Sequence, residues 1–153
     1  MKIVEDDLTG KEIRALLTAH LTFAAEVSPP ESVHALDLSG LREPEITFWT
    51  AWDGEDLLGC GALKELDEGH GEIKSMHTAH NHRGKGVAAA ILKHAMETAR
   101  SRSYKRLSLE TGSNEPFAPA RSLYTRHGFS ICEPFADYAE DPFSLHMTLK
   151  LSG

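Results

Sequence analysis

Apolar residues recur at helical spacing between Glu12 and Glu26, where Ile13, Leu16, Leu17, Leu21 and Ala24 mark one face of an amphipathic helix. Ser28-Pro29-Pro30 stops it. The segment from Ser28 to Pro44 is polar and reads as a loop, with a short helix around Ser32–Leu38. Two β-favouring runs, Ile46–Trp52 and Leu57–Leu63, flank Asp53-Gly54 and predict a hairpin. After the turn residues Asp67 to Gly71, a third strand spans Gly71–Thr78. The chain then turns through Gly84-Lys85-Gly86 into a long helix whose apolar face is Val87, Ala88, Ile91, Leu92, Ala95 and Ala99. Arg106–Glu110 is a fourth strand, and Ala120–His127 a short helix with Leu123 and Tyr124 inward, stopped by Gly128. Phe129–Cys132 is a fifth strand. In the last strand Phe143, Leu145, Met147, Leu149 and Leu151 alternate with polar residues. A helix, an antiparallel run, one strand–helix–strand crossover and further strands make an α/β sandwich on a mixed sheet.

The 153 residues suit a single domain covering the whole chain. The formal net charge of −7 argues against a nucleic-acid partner, which needs a basic field. No stretch reaches the roughly 20 apolar residues of a membrane span. The N-terminus lacks the apolar core of a signal peptide, so a cytoplasmic protein without membrane partners is expected. The two cysteines, Cys60 and Cys132, read as free thiols in apolar surroundings and fit a reducing compartment. On so acidic a chain, an anionic ligand needs a local device.

Gly84 to Val87 supplies one. The two glycines let a ligand approach the backbone, the helix behind them presents free N–H groups and the positive end of its dipole, and Arg83 and Lys85 add cations. A pyrophosphate is the natural guest. Gly84-Lys85-Gly86-Val87-Ala88-Ala89 also fits the dinucleotide pattern G-x-G-x-x-A, with Glu110 placed like its ribose-binding acid. That pattern wants its first glycine directly after a strand, whereas about five polar residues intervene here. A doubly wound fold also needs several crossovers, not one.

The run His80-Asn81-His82-Arg83-Gly84-Lys85-Gly86-Val87-Ala88 after a strand resembles the coenzyme A pyrophosphate loop, R/Q-x-x-G-x-G/A, of the GNAT N-acetyltransferases. Ser122-Leu123-Tyr124-Thr125-Arg126-His127-Gly128-Phe129 resembles their L-Y-x-x-x-G-F segment. The order and spacing of the two motifs match as well, and the likeness extends to a bacterial subgroup of the family. Asn81 stands where the family carries Arg or Gln, which leaves the cationic contact to Arg83 or Lys85.

The resemblance implies a GNAT-like fold, a mixed, mostly antiparallel sheet flanked by helices. It implies acetyl-CoA as co-substrate and direct transfer of acetyl to a primary amine of a small molecule or amino-acid-like acceptor. Arg83, Gly84, Lys85, Gly86, Val87 and Ala88 would hold the pyrophosphate. Backbone groups of Met76, His77 and Thr78 would pair with the pantetheine, in a gap between the third and fourth strands, and the His77 N–H would polarise the thioester carbonyl. Tyr124 would be the general acid at the departing sulfur, and Asn114 a further contact of the pantetheine or of the backbone. Glu72, Glu110 and His77 are the candidate bases; an amine can also lose its proton through ordered water.

Acceptor contacts are expected from the loops around Ser28–Asp37 and Pro134–Pro142, with His34 and Tyr138 as named candidates and Glu31, Asp37, Glu140 and Asp141 as acids that would steer a cation. No metal is expected. The spacing of His77, His80 and His82 fits no helix face, and the last two fall in the phosphate turn. Cys60 and Cys132 lack an adjacent histidine or a helix N-terminus to activate them, so no acyl-enzyme is expected. A homodimer could form if the last strand paired with a second copy. A non-catalytic acyl-CoA-binding module and a dinucleotide-binding oxidoreductase fragment are the alternatives.

Overall fold

The apolar alternation and the turn signals resolve into one seven-stranded sheet in the order β1-β2-β3-β4-β5-β7-β6. The computed structural model describes residues 1–30 and 38–151. The strands are β1 (Lys2–Glu5), β2 (Ile46–Asp53), β3 (Asp56–Asp67), β4 (His70–Thr78), β5 (Arg106–Gly112), β6 (Ser130–Cys132) and β7 (Ser144–Lys150). The helices are α1 (Lys11–Val27), α2 (Leu38–Leu41), α3 (Val87–Ser101) and α4 (Ala118–Arg126). All strand pairs are antiparallel except β4 with β5. The single α3 crossover therefore builds a mixed, mostly antiparallel sheet, as expected, and not a doubly wound one. The short helix expected around Ser32–Leu38 lies, apart from Leu38, outside the described residues.

Each face of the sheet carries its own apolar layer. Under α1 and α2, Ile13, Leu16 and Leu17 pack with Leu8, Leu41, Phe48, Cys60 and Ala62. Under α3 and α4, Leu92, Ala95, Met96, Leu123 and Tyr124 meet Ile73, Leu107, Leu109 and Met147. Gly54 closes the β2–β3 hairpin with a φ of +60°, the left-handed conformation such a turn favours. The N-terminal strand β1, an addition to the predicted elements, is four residues long and pairs with β2 at the sheet edge.

The last strand is not an edge. β7 lies between β5 and β6, so the backbone needed to pair with a second copy is already used, and the dimer route proposed for it does not hold. Its polar alternates Ser144 and His146 are also buried, because the chain between β6 and β7 covers that face: the rings of Phe135 and Tyr138 pack on His146 at 5.6 and 5.1 Å. Cys60 is buried and Cys132 half-buried, and both are free.

Two local features set the shape of β4. It pairs with β5 only from His70 to Ile73, opposite Arg106 to Leu109, while β5 continues along β7 to Gly112. On its other side the register against β3 slips between Cys60 and Ala62, so that Ser75 and Met76 together face Gly61, a β-bulge. A Cβ on Gly61 would lie 2.6 Å from both Ile91 Cγ2 and Met76 Sδ, so only glycine lets α3 and the bulge sit this close. Gly61→Ala is therefore expected to destabilise the fold by about 1–3 kcal/mol through overpacking, read as a lower urea midpoint at unchanged slope.

Candidate active site

Where β4 parts from β5 a cleft of about 120 Å³ opens through the sheet. Its walls come from α1 (His20, Ala24), β4 (Glu72 to Met76), β5 (Glu110 to Gly112), α4 (Ala120, Tyr124) and the segment before β7 (Tyr138, Phe143), with Ser28 and Phe117 completing them. Three predicted catalytic residues, Glu72, Glu110 and Tyr124, are thereby brought to one cavity, together with the predicted acceptor contact Tyr138. From Lys74 to Thr78 the β5-facing edge of β4 has no strand partner among the described residues, so that edge is open at Met76 and Thr78. The N–H of His77, which stands opposite Cys60, faces β3 instead, because alternate residues of a strand turn their backbone groups to opposite sides, and the expected polarising contact from His77 N–H is not placed in the gap.

The two carboxylates sit in different environments. Glu72 is 2% exposed and fully engaged: Tyr138 Oη donates to its Oε2 at 2.6 Å, and Lys74 Nζ approaches the same oxygen at 3.2 Å. Lys74 also donates to Tyr138 Oη at 2.9 Å, which closes a three-membered network. Burial and the adjacent Glu72 carboxylate push the Tyr138 phenol far above its usual range, so it stays a donor. Glu110 is pushed up to about 7 by burial; Ser144 and Lys74 oppose the shift, while Glu72 and Asp141 reinforce it. Tyr124 is 6% exposed, and burial, then the Glu110 charge, hold it well above the ordinary phenol value.

His77 meets a residue the sequence reading passed over. Its Nδ1 lies 3.2 Å from Nδ1 of His20 on α1, with ring centroids 4.9 Å apart. Burial depresses both imidazoles to about 4, so the pair is neutral, one ring donating and the other accepting. His20 stands three and four residues after Leu17 and Leu16, inside the apolar stripe of α1, and that position was its sequence signal. Lys74, also passed over, lies two residues from Glu72 in β4, on the same face by strand alternation.

At the end of β4, residues His80–His82 form a 3₁₀ turn and Gly86 is the N-cap of α3. Gly84 and Gly86 have φ of +78° and +82° with open space around them, and Arg83 to Gly86 are exposed. No side chain caps α3, so the first-turn N–H groups, those of Val87 and Ala88 included, face the turn without intrahelical partners. Free N–H groups and a helix dipole at an open glycine turn are the features that suit an anion. In the turn, His82 hydrogen-bonds Lys85 Nζ at 3.1 Å, while His70 bonds Ser108 at 2.6 Å. Among the described residues no group of three or more His, Cys, Asp or Glu is arranged to hold a metal.

Asn114 spends its amide on the Val27 carbonyl at the end of α1, while its Oδ1 is buried without a partner among the described residues. His34, Glu31 and Asp37 lie outside the described residues.

A family model described as the acetyltransferase (GNAT) family matches residues 11–129. The chain is 60% identical over 151 residues to the uncharacterized N-acetyltransferase YsnE of Bacillus subtilis, covering 99% of this chain and all of that one. Among solved structures, a protein of Klebsiella pneumoniae described as an acyl-CoA N-acyltransferase superposes with a TM-score of 0.79 at 28% identity, over 98% of this chain and 97% of the other. A GNAT acetyltransferase of Elizabethkingia anophelis, solved with acetyl-CoA bound, shares the fold with a TM-score of 0.71 at 20% identity, over 98% and 97%.

The network at Glu72 gives a test of its own. Tyr138→Phe removes the donor to a buried carboxylate and the acceptor of a buried ammonium, and should cost about 1–3 kcal/mol in chemical denaturation. Hydrogen exchange should quicken between residues 133 and 143, which lose that anchor.

Proposed function

Because the chain belongs to the GNAT family of acetyltransferases, we propose that it moves an acetyl group from acetyl-CoA directly to the primary amine of a small or amino-acid-like acceptor. The observation that carries this reading is the open β4–β5 gap, in which Glu72, Glu110 and Tyr124 line one cleft, with the uncapped α3 N-terminus following the open stretch of β4 in the chain. The residues present fit the co-substrate. Gly84, Gly86 and the N–H groups of Val87 and Ala88 suit a pyrophosphate, with Arg83 and Lys85 as cations in place of the family residue that Asn81 lacks. The open edge of β4 at Met76 and Thr78 suits pantetheine amides. Acetyl-CoA supplies the activated acyl group; proton handling and positioning fall to the chain.

An acceptor amine is protonated at neutral pH and must lose a proton before it attacks. Glu110 is the fitting base, since a carboxyl held near 7 combines a usable unprotonated fraction with real basicity. Glu72 is committed to Lys74 and Tyr138, which suits it to hold the acceptor side of the cleft in shape. Tyr124 keeps its proton across the working range and serves the departing sulfur as a hydrogen-bond donor. Glu72, Glu110 and Asp141 outnumber Lys74 around the cleft, which favours a cationic acceptor. His34 remains an acceptor contact by resemblance alone, and Asn114, tied to α1, shapes the loop in front of α4.

An acetyl-transfer assay over amines, amino acids and peptides, read as free CoA, tests the reading; no release with any of them would leave only a binding module. Turnover should rise with pH through about 7, because a base acts only when unprotonated. Glu110→Gln should remove that limb and lower kcat by about 10²–10⁴-fold. Since the folded-state pKa is raised from 4.5, ionising Glu110 costs stability as pH climbs towards about 7, and Glu110→Gln should be the more stable protein above that point. Gly86→Val, strained at its φ of +82° and placed against the pyrophosphate, should abolish acetyl-CoA binding by calorimetry while the protein stays folded.

A further inference from the structure

Ser75 stands where β4 leaves β5 on one side and bulges against Gly61 on the other. Its φ is +55°, in the left-handed region, at a bulge position that glycine usually occupies. The residue is 8% exposed and lines the cleft with Glu72, Glu110 and Tyr124. Its Oγ is buried and has no hydrogen-bond partner among the described residues. Glycine would avoid both the backbone strain and the cost of an unmade buried hydrogen bond. The chain instead places a hydroxyl at the mouth of the gap.

The backbone around it is held from outside the cleft. The Cys60 thiol donates to the Ser75 carbonyl at 3.3 Å, and burial pushes that thiol up to about 12, so it remains a donor. Gly61 gives Met76 the room to pack against α3. Ser75 is not placed as a nucleophile, because among the described residues no base accepts from its hydroxyl. What remains is a buried hydroxyl with an open bond, on a residue that lines the same cleft as Glu72, Glu110 and Tyr124.

We propose that the Ser75 hydroxyl is an oxyanion donor, hydrogen-bonding the carbonyl oxygen of the acetyl thioester as the amine attacks. The inference rests on the acetyl-transfer reading. The neutral amine, its ammonium proton already taken by Glu110, forms the new nitrogen–carbon bond, and the carbon–sulfur bond breaks with its electron pair going to sulfur. The second proton lost by nitrogen passes to that sulfur to give the CoA thiol, and Ser75 keeps its proton throughout. Its hydroxyl supplies a side-chain donor on the open edge of β4, where the N–H of His77 is turned away towards β3.

Ser75→Ala deletes the hydroxyl and keeps the Cβ. It should lower kcat by about 10²–10³-fold with acetyl-CoA affinity within about twofold of wild type. Its Tm should equal or exceed that of wild type, since an unmade buried bond is removed. Ser75→Gly should show the same loss of turnover with a higher Tm. Infrared spectra of bound acetyl-CoA labelled with carbon-13 at the carbonyl need no acceptor. In Ser75→Ala that stretch should move to higher wavenumber. Wild-type turnover, a loss confined to acetyl-CoA affinity, or an unmoved carbonyl band would overturn the assignment. A wild-type protein that binds no acetyl-CoA at all would instead overturn the acetyl-transfer reading beneath it.

Discussion

Everything in the cleft depends on one interruption of backbone pairing. Parallel strands normally continue together until their connections carry them apart, yet β4 and β5 hold only four residue pairs before they separate. The bulge at Ser75–Met76 twists β4 as it leaves; β3 and β4 resume their pairing beyond it to Gly59 and Thr78, and β5 with β7 runs without a register shift. A gap in the middle of a sheet leaves unpaired backbone groups, a costly state in a closed core. Here they border a cavity that a ligand with its own amides can complete, and the same divergence brings α1 and α4 to opposite walls of one space.

Within that space, environment separates groups that chemistry makes alike. Glu72 and Glu110 are both carboxylates on adjacent strands. One is stabilised by an ammonium and a phenol at hydrogen-bonding distance; the other is half-buried with weaker compensation and keeps its proton to about 7. Two carboxyl groups in surroundings this different are suited to different tasks, a structural anchor and a proton acceptor. The imidazoles of His20 and His77 illustrate the converse. Each loses its charge by burial, and their mutual hydrogen bond joins α1 to β4 without an ion.

The free end of α3 is the counterpart of this cleft at the other end of β4. An acidic chain can still hold an anion, because Gly84 and Gly86 expose N–H groups and the helix dipole acts over the first turn only. Net charge governs encounter at long range, while affinity at this turn is set within a few ångströms. The open edge of β4 lies between the two sites in the chain, as the proposed acetyl-CoA site requires.

Period and turn chemistry were enough to determine most of the architecture. The stripe on α1, the Asp53-Gly54 hairpin, the glycine turn before α3 and the alternation of β7 are local signals, and each produced its element within a few residues. The resemblance carried by the glycines at the α3 N-terminus and the Tyr124 segment also pointed to Glu72 and Glu110 as candidate bases, and the acidic, aromatic loop before β7 to Tyr138 as an acceptor contact. The chain could not by itself reveal order and contact between distant segments. That β7 inserts between β5 and β6, that Tyr138 closes on Glu72 and Lys74 across more than sixty residues, and that His20 meets His77 all follow from tertiary packing. Neither the basicity of Glu110 nor the open hydroxyl of Ser75 is written in residue type. Both arise because folding removes water from these groups and decides which partners replace it.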